Sequence, residues 1–305
     1  RDQALMSDRQ TLSFLSKTLQ RAGLHPKTKY GQNFLIDLNL LDILVRGAEL
    51  GPSDVVLEIG TGMGSLTKTL ATRAGYVVTV EVDRDLQAIA VRELSKFPNV
   101  RMLCCDALRN KNHLRVEVLD AVREAMNAFP GAKFKLVANL PYNVATPIIS
   151  NLLNETPLVE RMVVTIQKEL GERIISPASC KDYSALSIWM QSQCDCEILR
   201  LLPPSAFWPR PNVDSAILRI VPNATKRARI VDLEFFHTRL RAMFLHRRKF
   251  LRSQLISAMQ ELLTKEQVDA VLVEQKLEAN LRAEQLSVEQ MIELIEACRL
   301  QSQKQ

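Results

Sequence analysis

The sequence predicts an α/β protein: a Rossmann-like, mostly parallel sheet followed by a small all-helical C-terminal domain. Three observations predict it. From Ser53 to about Pro222, short apolar β-branched runs alternate with helix-like stretches, the pattern of a sheet covered by helices on both faces. A glycine-rich turn, Gly60-Thr61-Gly62-Met63-Gly64, separates the first such run from a helix. After Pro222-Asn223 the chain has neither Gly nor Pro, and apolar residues such as Leu255, Ala258, Leu262 and Leu263 recur at helical spacing.

In chain order, residues 8–22 form an amphipathic helix through Leu12, Leu15 and Leu19, and a basic loop with Lys27 and Lys29 follows. Strands are expected at 55–59, 76–82, 100–104, 134–138, 161–166, 196–202 and 215–221. Residues 113–129 read as an extra helix between the third and fourth strands. The expected division is 1–224, the N-terminal segment with the sheet domain, and 225–305, the helical domain.

With 305 residues, 47% apolar and 24% charged, the chain can bury a sizeable core, and disordered or collagen-like classes are excluded. No apolar run is long enough to span a bilayer and no export signal opens the sequence, so a soluble cytoplasmic protein without a membrane partner is expected. The six cysteines form no disulfide framework, and neither Cys194-Asp195-Cys196 nor the four scattered histidines match a zinc spacing, so no metal is expected. The net charge of +6 is concentrated: Lys226 to Arg252 carries nine bases against two acids, and the remainder has 31 bases against 32 acids. Such a stripe fits a phosphate backbone, although a solvated helix face has the same composition. Nothing in the sequence implies an oligomer.

Four motifs carry chemistry. The glycine turn lets a ligand approach the backbone beside a helix N-terminus, and Glu81, about 20 residues on at the end of the second strand, can accept from both hydroxyls of a ribose. That makes a nucleoside-cofactor site, with a nicotinamide as the weaker alternative because Ser65 stands where a third glycine is wanted. Asp106, after the third strand, suits an adenine amine or a helix cap equally. The fourth strand runs into Asn139-Leu140-Pro141-Tyr142. An exocyclic aromatic amine is a poor nucleophile because its lone pair is delocalised. The Asn139 oxygen and a carbonyl of Leu140 or Pro141 can bind both N–H bonds and draw the nitrogen toward tetrahedral geometry. Pro141 stiffens this loop, and Tyr142 offers a face for a base taken out of its helix.

Together with Tyr30-Gly31-Gln32-Asn33-Phe34-Leu35, Phe207-Trp208-Pro209-Arg210-Pro211-Asn212-Val213-Asp214-Ser215 and Arg247-Arg248-Lys249, these motifs resemble, in order, the signatures of the rRNA adenine N6-dimethyltransferases, in particular the KsgA-type small-subunit rRNA enzymes. The resemblance covers about residues 27–255. It implies a class I methyltransferase sheet, S-adenosylmethionine as cofactor, and dimethylation of two adjacent adenosines near the 3′ end of small-subunit rRNA in a pre-30S particle, with a role in ribosome assembly. By the same resemblance Asn33, Leu35, Gly60, Glu81, Asp106 and Asn139 bind the cofactor, and Tyr142 and Phe207 clamp the flipped adenine. Arg247, Arg248, Lys249 and Arg252 are expected to hold rRNA phosphates. Ala138 and Cys105 depart from glycines common in the family, but neither removes a functional group. The alternatives are a large-subunit rRNA methyltransferase of the erythromycin-resistance type and an assembly factor acting mainly by binding.

Overall fold

The computed structural model describes residues 12–27, 30–246 and 248–304. The chain packs as two compact units, one comprising the residues up to Gly171 with Glu197–Ile220, the other Glu172–Cys196 with Val221 onward.

In the first unit, α1 (Leu12–Arg21) precedes the two-residue strand β1 (Phe34–Leu35) and α2 (Leu38–Gly47). Residues 8–11 of the expected first helix lie outside the described residues. Asp37 starts α2 by accepting from the Asn39 and Leu40 amides, and the helix buries Leu41, Leu44 and Val45. There follow β2 (Val55–Ile59), α3 (Ser65–Ala71), β3 (Tyr76–Glu81), α4 (Arg84–Leu94) and β4 (Val100–Cys104). A short hairpin, β5 (Leu108–Asn110) with β6 (His113–Leu114), leads into α5 (Val116–Ala128), the extra helix expected from the sequence. The unit continues with β7 (Phe134–Asn139), α6 (Tyr142–Leu152), β8 (Arg161–Gln167) and α7 (Lys168–Ile175), whose last turn enters the second unit.

After α8 (Ala185–Gln191), β9 (Cys194–Leu202), β10 (Phe207–Trp208) and β11 (Ser215–Pro222) complete the strands. The seven strands expected from the sequence form one sheet in the order β4-β3-β2-β7-β8-β11-β9. It is parallel from β4 to β8, and β11 pairs antiparallel to β8. All five residues of β2 are buried, as a strand covered on both faces requires. Strand order reverses between β2 and β7, and a crevice opens outside their carboxyl ends at such a switch point. The Lys135 ammonium of β7 meets the Asp54 carboxylate just before β2 at 2.7 Å, both nearly inaccessible, and also donates to the Glu49 carbonyl at 2.7 Å. A second, two-stranded sheet pairs Phe34 with Trp208 and Leu35 with Phe207.

The second unit is helical: α9 (Ala224–Arg227), α10 (Leu233–Met243), α11 (Leu251–Met259), α12 (Lys265–Glu274) and α13 (Val288–Ser302), together with α8. Asp232 caps α10, while Thr264 with Gln267 and Ser287 with Gln290 form capping boxes at the starts of α12 and α13. Trp189 of α8 stacks on Phe236 of α10 with ring centroids 6.4 Å apart. Among the described residues no helix is long and apolar enough to cross a membrane, and no group of His, Cys, Asp and Glu could hold a metal ion.

Candidate active site

The carboxyl ends of β2, β3, β4 and β7 deliver their loops to one cleft of about 280 Å³. Its wall includes Gly60 and Gly62 from the glycine turn, Glu81, Asp106, and Asn139 to Val144, with Tyr30 to Phe34 across the opening.

The glycine turn is built for close approach. Gly62 has φ +56°, and a Cβ there would lie 3.1 Å from the Phe34 ring, so a larger residue meets both backbone strain and a clash. The Gly60 amide donates to the Val80 carbonyl at 2.8 Å, which fixes the turn against β3. Gly31, φ +62°, lets the N-terminal segment pass close to the Asn139 loop: a Cβ there would lie 3.2 Å from Asn143 Oδ1.

Glu81 is 5% exposed, and its two oxygens accept from the Gly62 amide at 2.8 Å and the Asp83 amide at 2.9 Å. Burial pushes its carboxyl above the usual range, against those amide donors. Glu81 also lines the cleft, and a carboxylate there is the acceptor that a ribose diol needs. Glu58, in the middle of the turn's entering strand, is fully buried and accepts from Thr67 and Thr79 hydroxyls at 2.6 and 2.7 Å. Burial pushes it up to about 8, with the Thr hydroxyls acting against the shift. In the sequence Glu58 opens the motif Glu58-Ile59-Gly60-Thr61-Gly62-Met63-Gly64, but its spacing gives it no role of its own.

Asp106 lines the cleft and is exposed, and its carboxylate accepts from the Leu108 amide at 2.9 Å. The cap it makes belongs to the β5 hairpin and not to a helix: α5 begins ten residues later, behind Arg115.

Asn139 closes β7, and its side-chain NH₂ donates to the Asn33 carbonyl at 2.8 Å. That bond settles which way the amide points, because a carbonyl can be met only by the nitrogen end, and the oxygen end is left to accept from something else. Leu140 is buried, with its amide on the Thr165 carbonyl. Pro141 starts α6, and the Tyr142 hydroxyl shares a 2.5 Å hydrogen bond with Ser215, which anchors the ring at the cleft wall.

Two residues expected at the site lie behind it. Leu35 is 7% exposed and lines a small cavity of about 50 Å³ beside the glycine turn, not the main cleft. Phe207, its partner in the two-stranded sheet, is 1% exposed in the apolar cluster with Leu41 and Leu44, away from the cleft wall. Of the basic residues, Arg248 and Lys249 are exposed, Arg247 lies outside the described residues, and Arg252 makes a two-pronged bond to Asp269 at 2.6 and 2.8 Å.

Comparison with known proteins agrees with this geometry. The family model for ribosomal RNA adenine dimethylases matches residues 23–299. The ribosomal RNA small subunit methyltransferase A of Bacillus cytotoxicus is 36% identical over 293 residues, 96% of this chain and 98% of that protein. The protein of the same name from Clostridium botulinum (strain Kyoto / Type A2) is 37% identical over 260 residues, 85% of this chain and 89% of that one. Among solved structures, a dimethyladenosine transferase from Plasmodium falciparum superposes with a TM-score of 0.70 at 23% identity, over 85% of this chain and 94% of that one. The 23S rRNA methyltransferase ErmE superposes with a TM-score of 0.61 at 25% identity, over 88% of this chain and all of that one. The crevice at the strand reversal, the acid closing β3, the asparagine closing β7 and the match across nearly the whole length lead to one assignment: the chain belongs to the ribosomal RNA adenine dimethylase family and is an rRNA adenine N6-dimethyltransferase of the class I methyltransferase fold.

Proposed function

We propose that this chain dimethylates N6 of two adjacent adenosines near the 3′ end of small-subunit rRNA, using S-adenosylmethionine, on a pre-30S particle in the cytoplasm, and that the same binding serves ribosome assembly. The observation that carries the chemistry is the Asn139 amide, turned by the Asn33 carbonyl so that its oxygen is the free end at the edge of the cleft.

The residues present suit the cofactor. The glycine turn leaves room for a ligand against the backbone, Glu81 presents carboxylate oxygens for ribose hydroxyls, and Asp106 is accessible in the same cleft for an adenine amine. When bound, S-adenosylmethionine supplies an electrophilic methyl group on a sulfonium. On the target side, Asn139 Oδ1 accepts one N–H of the adenine amine. The carbonyl of Leu140 or Pro141 takes the other; that of Pro141 also accepts from the Val144 amide at 3.1 Å and keeps a second lone pair. Held by two acceptors, the nitrogen gives up conjugation with the ring and its lone pair becomes available for the methyl carbon. No residue has to be ionised first, because the amine is neutral and its proton becomes acidic only once the new C–N bond exists. Tyr142 stacks on the displaced base. Phe207 backs Leu35 through their strand pairing and so supports the N-terminal segment from behind.

Arg248 and Lys249, with Arg247, contact phosphates; Arg252 serves by fixing α11 to α12 through Asp269. The large-subunit reading draws on the likeness to ErmE, but the relatives named for the small subunit are the more similar in sequence. The test is a pair of titrations. S-adenosylmethionine should bind and NAD should not, and binding of NAD instead would overturn the cofactor assignment.

A further inference from the structure

The N-terminal segment that crosses the cleft is tied down at one carboxylate. Lys27 Nζ donates to Asp83 Oδ1 at 2.9 Å and to Asp85 Oδ2 at 2.7 Å, and Gln32 Nε2 donates to Asp83 Oδ2 at 3.0 Å. Gln32 Oε1 in turn accepts from the Lys27 amide at 2.7 Å, so the two ends of the loop are joined to each other as well as to the acid. Both oxygens of Asp83 are therefore engaged by this segment, and Asp83 itself is 3% exposed at the start of α4. Burial raises the Asp83 carboxyl, but the Lys27 and Gln32 hydrogen bonds outweigh it and hold the group below its ordinary value, the sign of a carboxylate that stays charged at this contact.

One residue beyond Gln32, the Asn33 carbonyl receives the Asn139 NH₂. The clamp therefore fixes the chain one residue before the carbonyl that holds the reacting amide. With the clamp open, the Asn33 carbonyl keeps the Phe34–Trp208 pairing on its C-terminal side but loses its anchor on the N-terminal side, and an Asn139 amide that loses this carbonyl is free to turn over. A turned amide presents NH₂ where an acceptor is needed, and two N–H groups then face each other.

We propose that Lys27 and Gln32 are positioning residues for methyl transfer: by clamping Asp83 they hold the Asn33 carbonyl on the Asn139 amide, so that oxygen and not nitrogen meets the adenine amine. The proposal rests on the role given to Asn139 above. It assigns a task to two side chains given none so far, Gln32 at the cleft wall and Lys27 outside it.

The test is a double-mutant cycle on the full chain, read as the single-turnover rate of labelled methyl transfer to undermethylated small-subunit particles at saturating S-adenosylmethionine. Cofactor affinity is measured alongside by calorimetry. Lys27→Met and Gln32→Leu should each slow transfer by about tenfold or more, the scale of misplacing a catalytic contact. Lys27→Arg should restore most of the rate, because a guanidinium also spans the two carboxylates. In the Asn139→Ala background the same Lys27→Met and Gln32→Leu changes should cost less than about twofold, since the amide they orient is gone. Equal losses in both backgrounds would overturn the positioning role while leaving the part played by Asn139 intact. Full rates for Lys27→Met and Gln32→Leu in the native background would overturn it as well. If Asn139→Ala alone transfers methyl groups normally, both the positioning role and the proposed chemistry fall.

Discussion

Asn139 has two ends, and only the one left over after Asn33 has taken the other can do chemistry. Asn139→Ala should therefore lower single-turnover methyl transfer by about two orders of magnitude, the usual loss when one transition-state acceptor is removed, with S-adenosylmethionine affinity changed far less. A drop in cofactor affinity with a normal rate at saturating cofactor would confine Asn139 to cofactor binding. The neighbouring acid Glu58 makes a prediction of a different kind. Its folded carboxyl keeps a proton up to about 8, against 4.5 for the free group, so the folded chain binds more protons than the unfolded chain between those values. Stability then falls as pH rises through that window. Glu58→Gln copies the protonated form, and its thermal midpoint should decline less between pH 5.5 and 8.5 than that of the native chain; parallel declines would mean that Glu58 ionises freely. The glycine turn, Glu81 and Asn139 were legible in the sequence because each lies at the end of a strand whose apolar run marks it. The direction of the Asn139 amide was not, since it depends on a carbonyl 106 residues away in the chain.

Among elements, β2, β3, β7, β8 and β11 were readable as short β-branched runs buried on both faces, and the half-exposed edge strands β4 and β9 as short apolar runs at the same spacing. The two-residue strands Phe34–Leu35 and Phe207–Trp208 were not, because so short a pairing is set by tertiary contact and not by local propensity. That pairing is why Leu35 and Phe207 lie behind the cleft while Asn33, two residues from Leu35, reaches it. The extra helix was legible as a helix, yet the β5–β6 hairpin ahead of it was not, and the hairpin is what Asp106 caps. Strands β2 and β7, which carry the two halves of the site, are joined near their amino ends by Lys135 and Asp54. Lys135→Met leaves the Asp54 carboxylate buried with its charge unmatched and should cost about 3 kcal/mol or more in urea unfolding. A loss below about 1 kcal/mol would show that water reaches Asp54 in the native state.

At the scale of the molecule, the charge excess that stands out in the sequence lies in the helical unit, while the cleft belongs to the sheet unit. Binding of RNA and binding of cofactor should accordingly separate by mutation. Replacing both Arg248 and Lys249 by Gln should reduce the slope of log affinity for small-subunit rRNA against log salt by about 2, one counterion per lost phosphate contact, with S-adenosylmethionine affinity unchanged. An unchanged slope would mean that these side chains do not meet phosphates.

The central claim is that a small-subunit adenosine amine is methylated at the Asn139 corner of the cleft. Mass mapping of labelled methyl groups, after incubation of small- and large-subunit rRNA particles with the native chain and with Asn139→Ala, tests it most directly. The account predicts doubly methylated adenines at two neighbouring positions near the 3′ end of the small-subunit rRNA for the native chain, and almost none for the variant. Label confined to large-subunit rRNA, or equal label from the two proteins, would contradict it.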